Sequence, residues 1–332
     1  MKELSIWNQL TQLPYLTLYT NVVNSAMQLD IFSQLSEKTT PEKLAAAQGW
    51  HEANTRYFLS ALYALGFVEK EGDEYWNCPE AERYLVKGKP EYLGGFLLFY
   101  GLNEGTAPMD VIKLVTGGPC QPEQLEQGLD FSQYAKSLRE AQQGYRQEEL
   151  LRIVRALPEY ENLHTVLDAG CATGLLGLAV IADRPERTGV LFDQPPMQGL
   201  IEQSLAETGM AGRATIKTGD FMADDIGSGY DLILAINVTC FAKGRMEALM
   251  KKFYDALNPG GVLLCVSEGI QRDFSGPWDM VLGYLPYYLQ GMDMGVMRDE
   301  VSEAAAKAGF GKLEKRTEAL CSGTQDVDIL RK

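Results

Sequence analysis

A seven-residue turn, Asp168-Ala169-Gly170-Cys171-Ala172-Thr173-Gly174, limits what this chain can fold into more than any other stretch. It follows the apolar run Thr165-Val166-Leu167 and leads straight into Leu175-Leu176-Gly177-Leu178-Ala179-Val180-Ile181. Apolar strand, glycine turn and apolar helix, in that order, bring backbone amides to a helix N-terminus where a nucleotide-like ligand can approach closely. The spacing is not that of a nicotinamide site. Gly170 and Gly174 flank Ala172, so the last glycine falls one position early for G-x-G-x-x-G.

From residue 162 onward, strand-like and helical runs alternate, with strands expected near 164–168, 189–193, 214–218, 231–236 and 261–267. A final antiparallel pair is expected near 312–318 and 325–331. Such alternation implies an α/β domain with a mainly parallel sheet covered on both faces. Upstream, residues 10–35 read as helix from apolar positions every three or four residues. Thr40-Pro41-Glu42 offers an N-cap followed by proline at the first helical position, and 54–65 reads as a second helix that Gly66 can end. Residues 67–76 read as two short strands around an acidic turn. Helix, helix and hairpin is the outline of a winged helix. Residues 92–157 read as mainly helical, with an aromatic cluster at Phe96, Phe99 and Tyr100 and a break at Gly117-Gly118-Pro119. The expected division is a winged-helix-like unit over 1–105 and an α/β domain over 106–332, with 106–157 as helical connection and pocket wall.

The formal charge is -15 over 332 residues, which repels a phosphate backbone. The candidate recognition helix holds Arg56 as its one cation, and the hairpin carries Glu69, Glu71, Asp73 and Glu74. A structural or dimer-forming role is therefore expected there, without a nucleic-acid partner. The N-terminus lacks a signal-peptide pattern, and no uncharged run is long enough to span a bilayer. The six cysteines are not spaced as zinc ligands, which points to reduced thiols in a cytoplasmic protein and to no metal.

Ligand-facing residue types recur where successive strands end. Asp168 opens the glycine turn, and a carboxylate there suits a neutral or cationic ligand, such as a sulfonium nucleoside, better than a pyrophosphate. Gly189-Val190-Leu191-Phe192 ends in Asp193, where an acid can bind both hydroxyls of a ribose. The third strand ends in Gly219-Asp220-Phe221, where a carboxylate can accept from an adenine amine and a ring can cover the base. The fourth ends in Asn237, and Asn258-Pro259-Gly260-Gly261 precedes the fifth. Structural alternatives stand beside these readings: Asp168 capping the turn, Asp193 capping the next helix, and Phe221 as ordinary core.

Together these residues resemble the class I S-adenosylmethionine (SAM) dependent methyltransferases. The closer resemblance is to the small-molecule O-methyltransferases with an N-terminal winged-helix dimerisation domain. In the N-terminal half it rests on Thr40-Pro41-Glu42-Lys43-Leu44-Ala45 and Tyr63-Ala64-Leu65-Gly66-Phe67-Val68. The resemblance implies a Rossmann-like seven-stranded sheet, a homodimer, SAM as cofactor and a small aromatic or conjugated substrate. It places Gly170, Gly174 and their turn against the methionine part of SAM, Asp193 on the ribose, and Asp220 with Phe221 on the adenine. A relative that binds SAM without methylating is the alternative activity.

One position departs from that family. Its segment after strand four carries a proton-abstracting histidine, and here Cys240 stands in that place in Asn237-Val238-Thr239-Cys240-Phe241-Ala242. The chain has two histidines, His51 and His164, and neither falls near this segment. The acceptor atom (oxygen, nitrogen or carbon) is thus open, with Glu268 as a family-matched carboxylate at the catalytic site ranking above Cys240, which reads equally as a thiolate base or a buried spectator. The alternative for Glu268 is an exposed carboxylate at a strand end. The family's pocket-roofing helix corresponds to the stretch holding Trp278, Tyr284, Tyr288 and Met292, and Phe99 and Tyr100 are candidates for the same wall.

Overall fold

The computed structural model describes residues 6–102, 115, 118, 119 and 131–332. The chain divides into two compact units, Met1–Pro108 with Glu126–Gln143, and Met109–Leu125 with Gly144–Lys332. Of the helical connection expected over 106–157, residues 106–114, 116, 117 and 120–130 lie outside the described residues.

In the first unit, α1 (Ile6–Gln28) and the short α2 (Ile31–Gln34) replace the single helix expected over 10–35. Asp30 breaks the run by adopting the left-handed region, φ 54°, with its carboxylate accepting the Ser33 hydroxyl at 2.7 Å. α3 (Pro41–Gln48) begins at the proline, and Thr40 Oγ1 accepts the Lys43 amide at 3.4 Å. His51 caps α4 (Glu52–Ala64), its Nδ1 accepting the Asn54 amide at 3.3 Å. Gly66 follows the helix at φ 82°, a conformation glycine adopts without strain. β1 (Val68–Glu71) and β2 (Glu74–Asn77) pair antiparallel, completing the helix–helix–hairpin order. α5 (Pro79–Tyr84) and α6 (Gly94–Leu102) come next. α7 (Phe131–Gln142) packs on α6 and so belongs to this unit, not to the second as the boundary at 105/106 had it. Its Glu140 carboxylate accepts the Phe96 amide at 2.8 Å, at the N-terminal end of α6 where a negative charge is favoured. Ile31, Phe32, Leu35, Leu59, Leu62 and Tyr75 form the core.

The second unit runs α8 (Tyr145–Arg155), β3 (Thr165–Ala169), α9 (Leu175–Ala182), β4 (Thr188–Asp193), α10 (Gln198–Thr208), β5 (Ala214–Thr218) and β6 (Tyr230–Ile236). It continues with α11 (Met246–Ala256), β7 (Leu257–Ser267), α12 (Trp278–Leu289), α13 (Glu300–Ala308), β8 (Lys312–Leu320) and β9 (Gly323–Arg331). The seven strands form one sheet in the order β5-β4-β3-β6-β7-β9-β8. β3 to β7 are mutually parallel, while β9 runs antiparallel between β7 and β8. β3, β6 and β7 are buried almost throughout, as a sheet covered on both faces requires. β7 starts four residues before its expected beginning, because the Asn258–Gly261 segment is taken into the strand through an irregularity in its pairing with β6.

Charged residues are part of this core, Arg187 among them. Arg187 has no exposed surface, and its guanidinium donates to the carbonyls of Leu163 at 2.8 Å, Val180 at 3.1 Å and Tyr160 at 2.9 Å. It therefore ties the entry to β3, α9 and the segment before β3 into one unit. Arg187→Ala removes a donor from each of three carbonyls and is expected to cost on the order of 3 kcal/mol or more. A urea denaturation midpoint that stays at the parent value would refute this.

Candidate active site at the carboxyl edge of the sheet

The parallel strands β3 to β7 all end along one edge, where Asp168, Gly170, Gly174, Asp193, Asp220, Phe221 and Asn237 lie at or just after the strand ends. Gly170 (φ 71°), Ala172 (φ 53°) and Gly174 (φ 77°) turn the chain from β3 into α9. The amides of Gly170 and Cys171 both donate to the carbonyl of Phe192, at 2.8 and 3.1 Å, so the turn is fastened to the end of β4. A side chain on Gly170 would meet Val238 at 2.5 Å, so the turn lies tightly against the segment that follows β6.

Asp168 is buried, and its Oδ2 accepts the amide of Gly177 at 2.8 Å, in the first turn of α9. Gly177 must lack a Cβ for this bond to form, since one would sit 2.6 Å from that oxygen. Burial pushes the Asp168 carboxyl up to about 7, opposed by the Gly177 amide and reinforced by the charge of Asp193. Asp193, at the end of β4, accepts from the Ala172 amide at 2.6 Å through Oδ2 and from the Gln194 amide at 2.7 Å through Oδ1. Each carboxylate oxygen keeps a further lone pair for a ligand hydroxyl. Burial raises this acid as well. Asp220 is exposed, its Oδ1 accepting the Met222 amide at 2.7 Å, and Phe221 is packed into the core beside Gly170.

Asn237 ends β6 in the left-handed region, φ 55°. Its Oδ1 accepts from Arg146 Nη2 at 2.7 Å, and both residues line a small recess with Leu176, Val266 and Ser322. Arg146, Gly177 and Val238 were missed by sequence reasoning. The signal for Arg146 was a cation at the start of the helix leading into the sheet; Gly177 was visible three residues past Gly174.

A second group gathers where β6 and β7 end. Glu268 is 1% exposed, which overturns its alternative as an exposed strand-end carboxylate. Its Oε1 accepts the Tyr284 hydroxyl at 2.5 Å and its Oε2 the Val296 amide at 3.2 Å. Burial raises the Glu268 carboxyl, while Tyr284, Val296 and the charge of Lys243 pull it back. The Cys240 thiol is pushed up to about 12 by burial and by the charge of Glu268. Of the two readings of Cys240, thiolate base or buried spectator, this favours the second: the thiol stays protonated near neutral pH. Tyr284 and Tyr287 have ring centroids 5.6 Å apart. Tyr288 packs edge-on against Phe274, centroids 5.4 Å apart, and Trp278 is 45% exposed at the start of α12. Met292 lies partly buried just past that helix. Phe99 and Tyr100 lie on α6, and their side chains fall outside the described residues. His164 precedes β3 at the opposite edge of the sheet, and His51 caps α4 in the other unit.

A family profile described as a methyltransferase domain matches residues 142–313, just over half of the chain. The chain is 28% identical over 262 residues to the tetracenomycin polyketide synthesis 8-O-methyl transferase TcmO of Streptomyces glaucescens, covering 75% of each protein. It is 27% identical over 253 residues to the N,N-dimethyltransferase OxyT of Streptomyces rimosus, covering 73% of this chain and 72% of OxyT. Among solved structures, an O-methyltransferase family protein from Burkholderia thailandensis aligns over 99% of this chain and 98% of its own, with 17% identity and a TM-score of 0.76. Human N-acetylserotonin methyltransferase in complex with SAM aligns over 98% of this chain and 97% of its own, with 18% identity and a TM-score of 0.74. These two likenesses establish the fold.

The raised Asp168 carboxyl has a consequence for stability. An acid raised from 3.8 to about 7 on folding contributes most below pH 3.8, and that contribution is lost as pH climbs through 7. Asp168→Asn cannot ionise. Its melting temperature minus that of the parent should therefore increase between about pH 5 and about pH 8, and a difference independent of pH would contradict the assignment.

Proposed function

The chain belongs to the methyltransferase domain family, and from that premise we propose that it moves the methyl group of S-adenosylmethionine to a small aromatic or conjugated acceptor. The observation that carries this reading is the layout of charge along the carboxyl edge. One guanidinium, Arg146, stands beside Asn237 after β6, and the carboxylates of Asp193 and Asp220 stand at the ends of β4 and β5, across β3. Such an edge repels phosphates and matches a ligand with a carboxylate at one end, a cationic sulfur, and sugar hydroxyls and an adenine amine at the other.

In this reading Arg146 would hold the amino-acid carboxylate, the Gly170 turn would lie along the methionine chain, Asp193 would accept the ribose hydroxyls, and Asp220 the adenine amine. Phe221 would back the base from the core. The bound donor supplies an electrophilic sulfonium methyl. The protein's own contribution is to fix the approach of the acceptor, and alignment of this kind accounts for a large share of the rate in such displacements. Oxygen and nitrogen acceptors both fall within the reading, since the two relatives are named for one and the other.

A homodimer fits the first unit. α1 exposes Ile6, Leu10, Leu13, Leu16 and Leu18, an apolar surface that calls for a cover, and a second copy of the chain supplies one. A duplex does not fit: Arg56, the one cation of the candidate recognition helix, is paired with Asp73 at 2.6 Å and with Glu42. Among the described residues no helix is long and apolar enough to cross a membrane. Among the described residues Cys78, Cys171, Cys240, Cys265 and Cys321 form no disulfide with one another, which agrees with a reducing, cytoplasmic setting.

Calorimetry tests the donor site. Arg146→Ala should weaken SAM by about 10-fold to 100-fold, yet leave 5′-methylthioadenosine, which has no carboxylate, nearly unaffected. Asp193→Ala should weaken both by a similar factor. Equal losses on both ligands in the arginine variant would remove its assigned role. For the dimer, Leu10→Glu with Leu13→Glu should halve the mass seen by light scattering; an unchanged mass argues against this interface.

A further inference from the structure

Four acidic or weakly acidic side chains from three parts of the second unit converge where β6 and β7 end: Cys240, Glu268, Tyr284 and Tyr287. Glu268 is shut away from solvent, with one oxygen on the Val296 amide and the other on the Tyr284 hydroxyl. Tyr284 is only partly buried, so it is the member of the pair that an arriving molecule can touch. A phenol that donates to a carboxylate keeps two lone pairs on its oxygen, and an O–H···O⁻ contact of 2.5 Å is of the strong, charge-assisted kind. The Cys240 thiol is neutral, and the two histidines lie far from this group.

We propose that Tyr284 is a catalytic residue for a phenolic acceptor, its oxygen taking the acceptor's proton while its own proton passes to Glu268, which acts through it as a positioning residue and proton sink. The inference rests on the methyl-transfer reading and narrows its substrate to hydroxyl acceptors, because a neutral amine brings a free lone pair and needs no such relay. The acceptor oxygen gains the methyl carbon as the donor's carbon–sulfur bond breaks and that bond's electron pair stays on sulfur. The acceptor's proton moves to Tyr284 Oη, and the tyrosine's proton moves to Glu268 Oε1. Charge balances, since the carboxylate is neutralised as the sulfonium loses its charge.

The groups facing Glu268 favour its use as a sink. Burial and the Tyr288 and Cys240 neighbours put no positive charge on it, and Lys243, the one cation acting on it, is itself engaged with the Gly295 carbonyl at 2.7 Å and with Glu300 at 3.2 Å. A carboxylate held this way is a stronger base than one in water.

The test uses the full-length protein with SAM and a series of ring-substituted phenols running from unsubstituted to nitro-substituted, which differ in acidity but little in size. Release of S-adenosylhomocysteine is measured across pH, and SAM affinity is measured separately by calorimetry. Tyr284→Phe and Glu268→Gln should each lose about 100-fold or more in kcat/KM on the weakly acidic phenols, and far less on nitrophenols already ionised at the assay pH. Glu268→Asp should recover part of the loss, and SAM affinity should hold in all three variants. A loss that is uniform across the series, or no loss, overturns the relay. So does a parent protein that binds SAM but turns over none of the phenols. A parent protein that fails to bind SAM instead overturns the underlying methyl-transfer reading.

Discussion

Asp168 Oδ2 takes the amide of Gly177 in a space closed to water, and the geometry of the candidate site descends from that bond. It pins the first turn of α9 to the end of β3, which sets where the intervening glycine turn emerges at the sheet edge. The bond explains three features at once. Gly177 has no side chain because the carboxylate occupies its place. Among the described residues the acid forms no ion pair and instead faces a helix N-terminus, whose partial positive charge favours an anion. And the carboxyl sits near neutrality in its titration, since burial opposes the charge that the helix end invites.

Along the edge the charges fall into two groups with different tasks. At the ends of β4 and β5, Asp193 and Asp220 accept backbone amides and keep lone pairs for a ligand. At β6 and β7, Glu268 is buried, bonded to a tyrosine and kept from direct contact. The first arrangement suits recognition of a fixed molecule. The second suits movement of a proton, since the raised carboxyl and the short phenol contact place donor and acceptor in reach of each other.

The frame of the second unit was legible because strands buried on both faces have no polar positions to blur their limits. The strands expected at 189–193 and 214–218 lie within one residue of β4 and β5. The seven-stranded sheet with its antiparallel final pair was likewise readable from alternation. What failed depends on contacts between distant residues. Glu268 is a site candidate by its place in the motif, but its burial depends on Tyr284 and Val296, many residues later, which fold over it. Arg187 looks like a surface cation, yet it is satisfied by three carbonyls from separate segments. Asp30 breaks a helix that periodicity carries straight through, because spacing of apolar residues says nothing of a single left-handed φ. Cys240 was read by its position in a motif, and only its burial reveals that the thiol stays neutral.

The double attachment of the glycine turn, through the Phe192 carbonyl and the Asp193 carboxylate, bears on how tightly a ligand can be held. Ordering a free backbone costs about 1–2 kcal/mol of conformational entropy per residue. A loop already fastened to the neighbouring strand has surrendered that freedom during folding. Association at this edge then proceeds with little further loss of chain disorder, and more of each hydrogen bond survives as affinity.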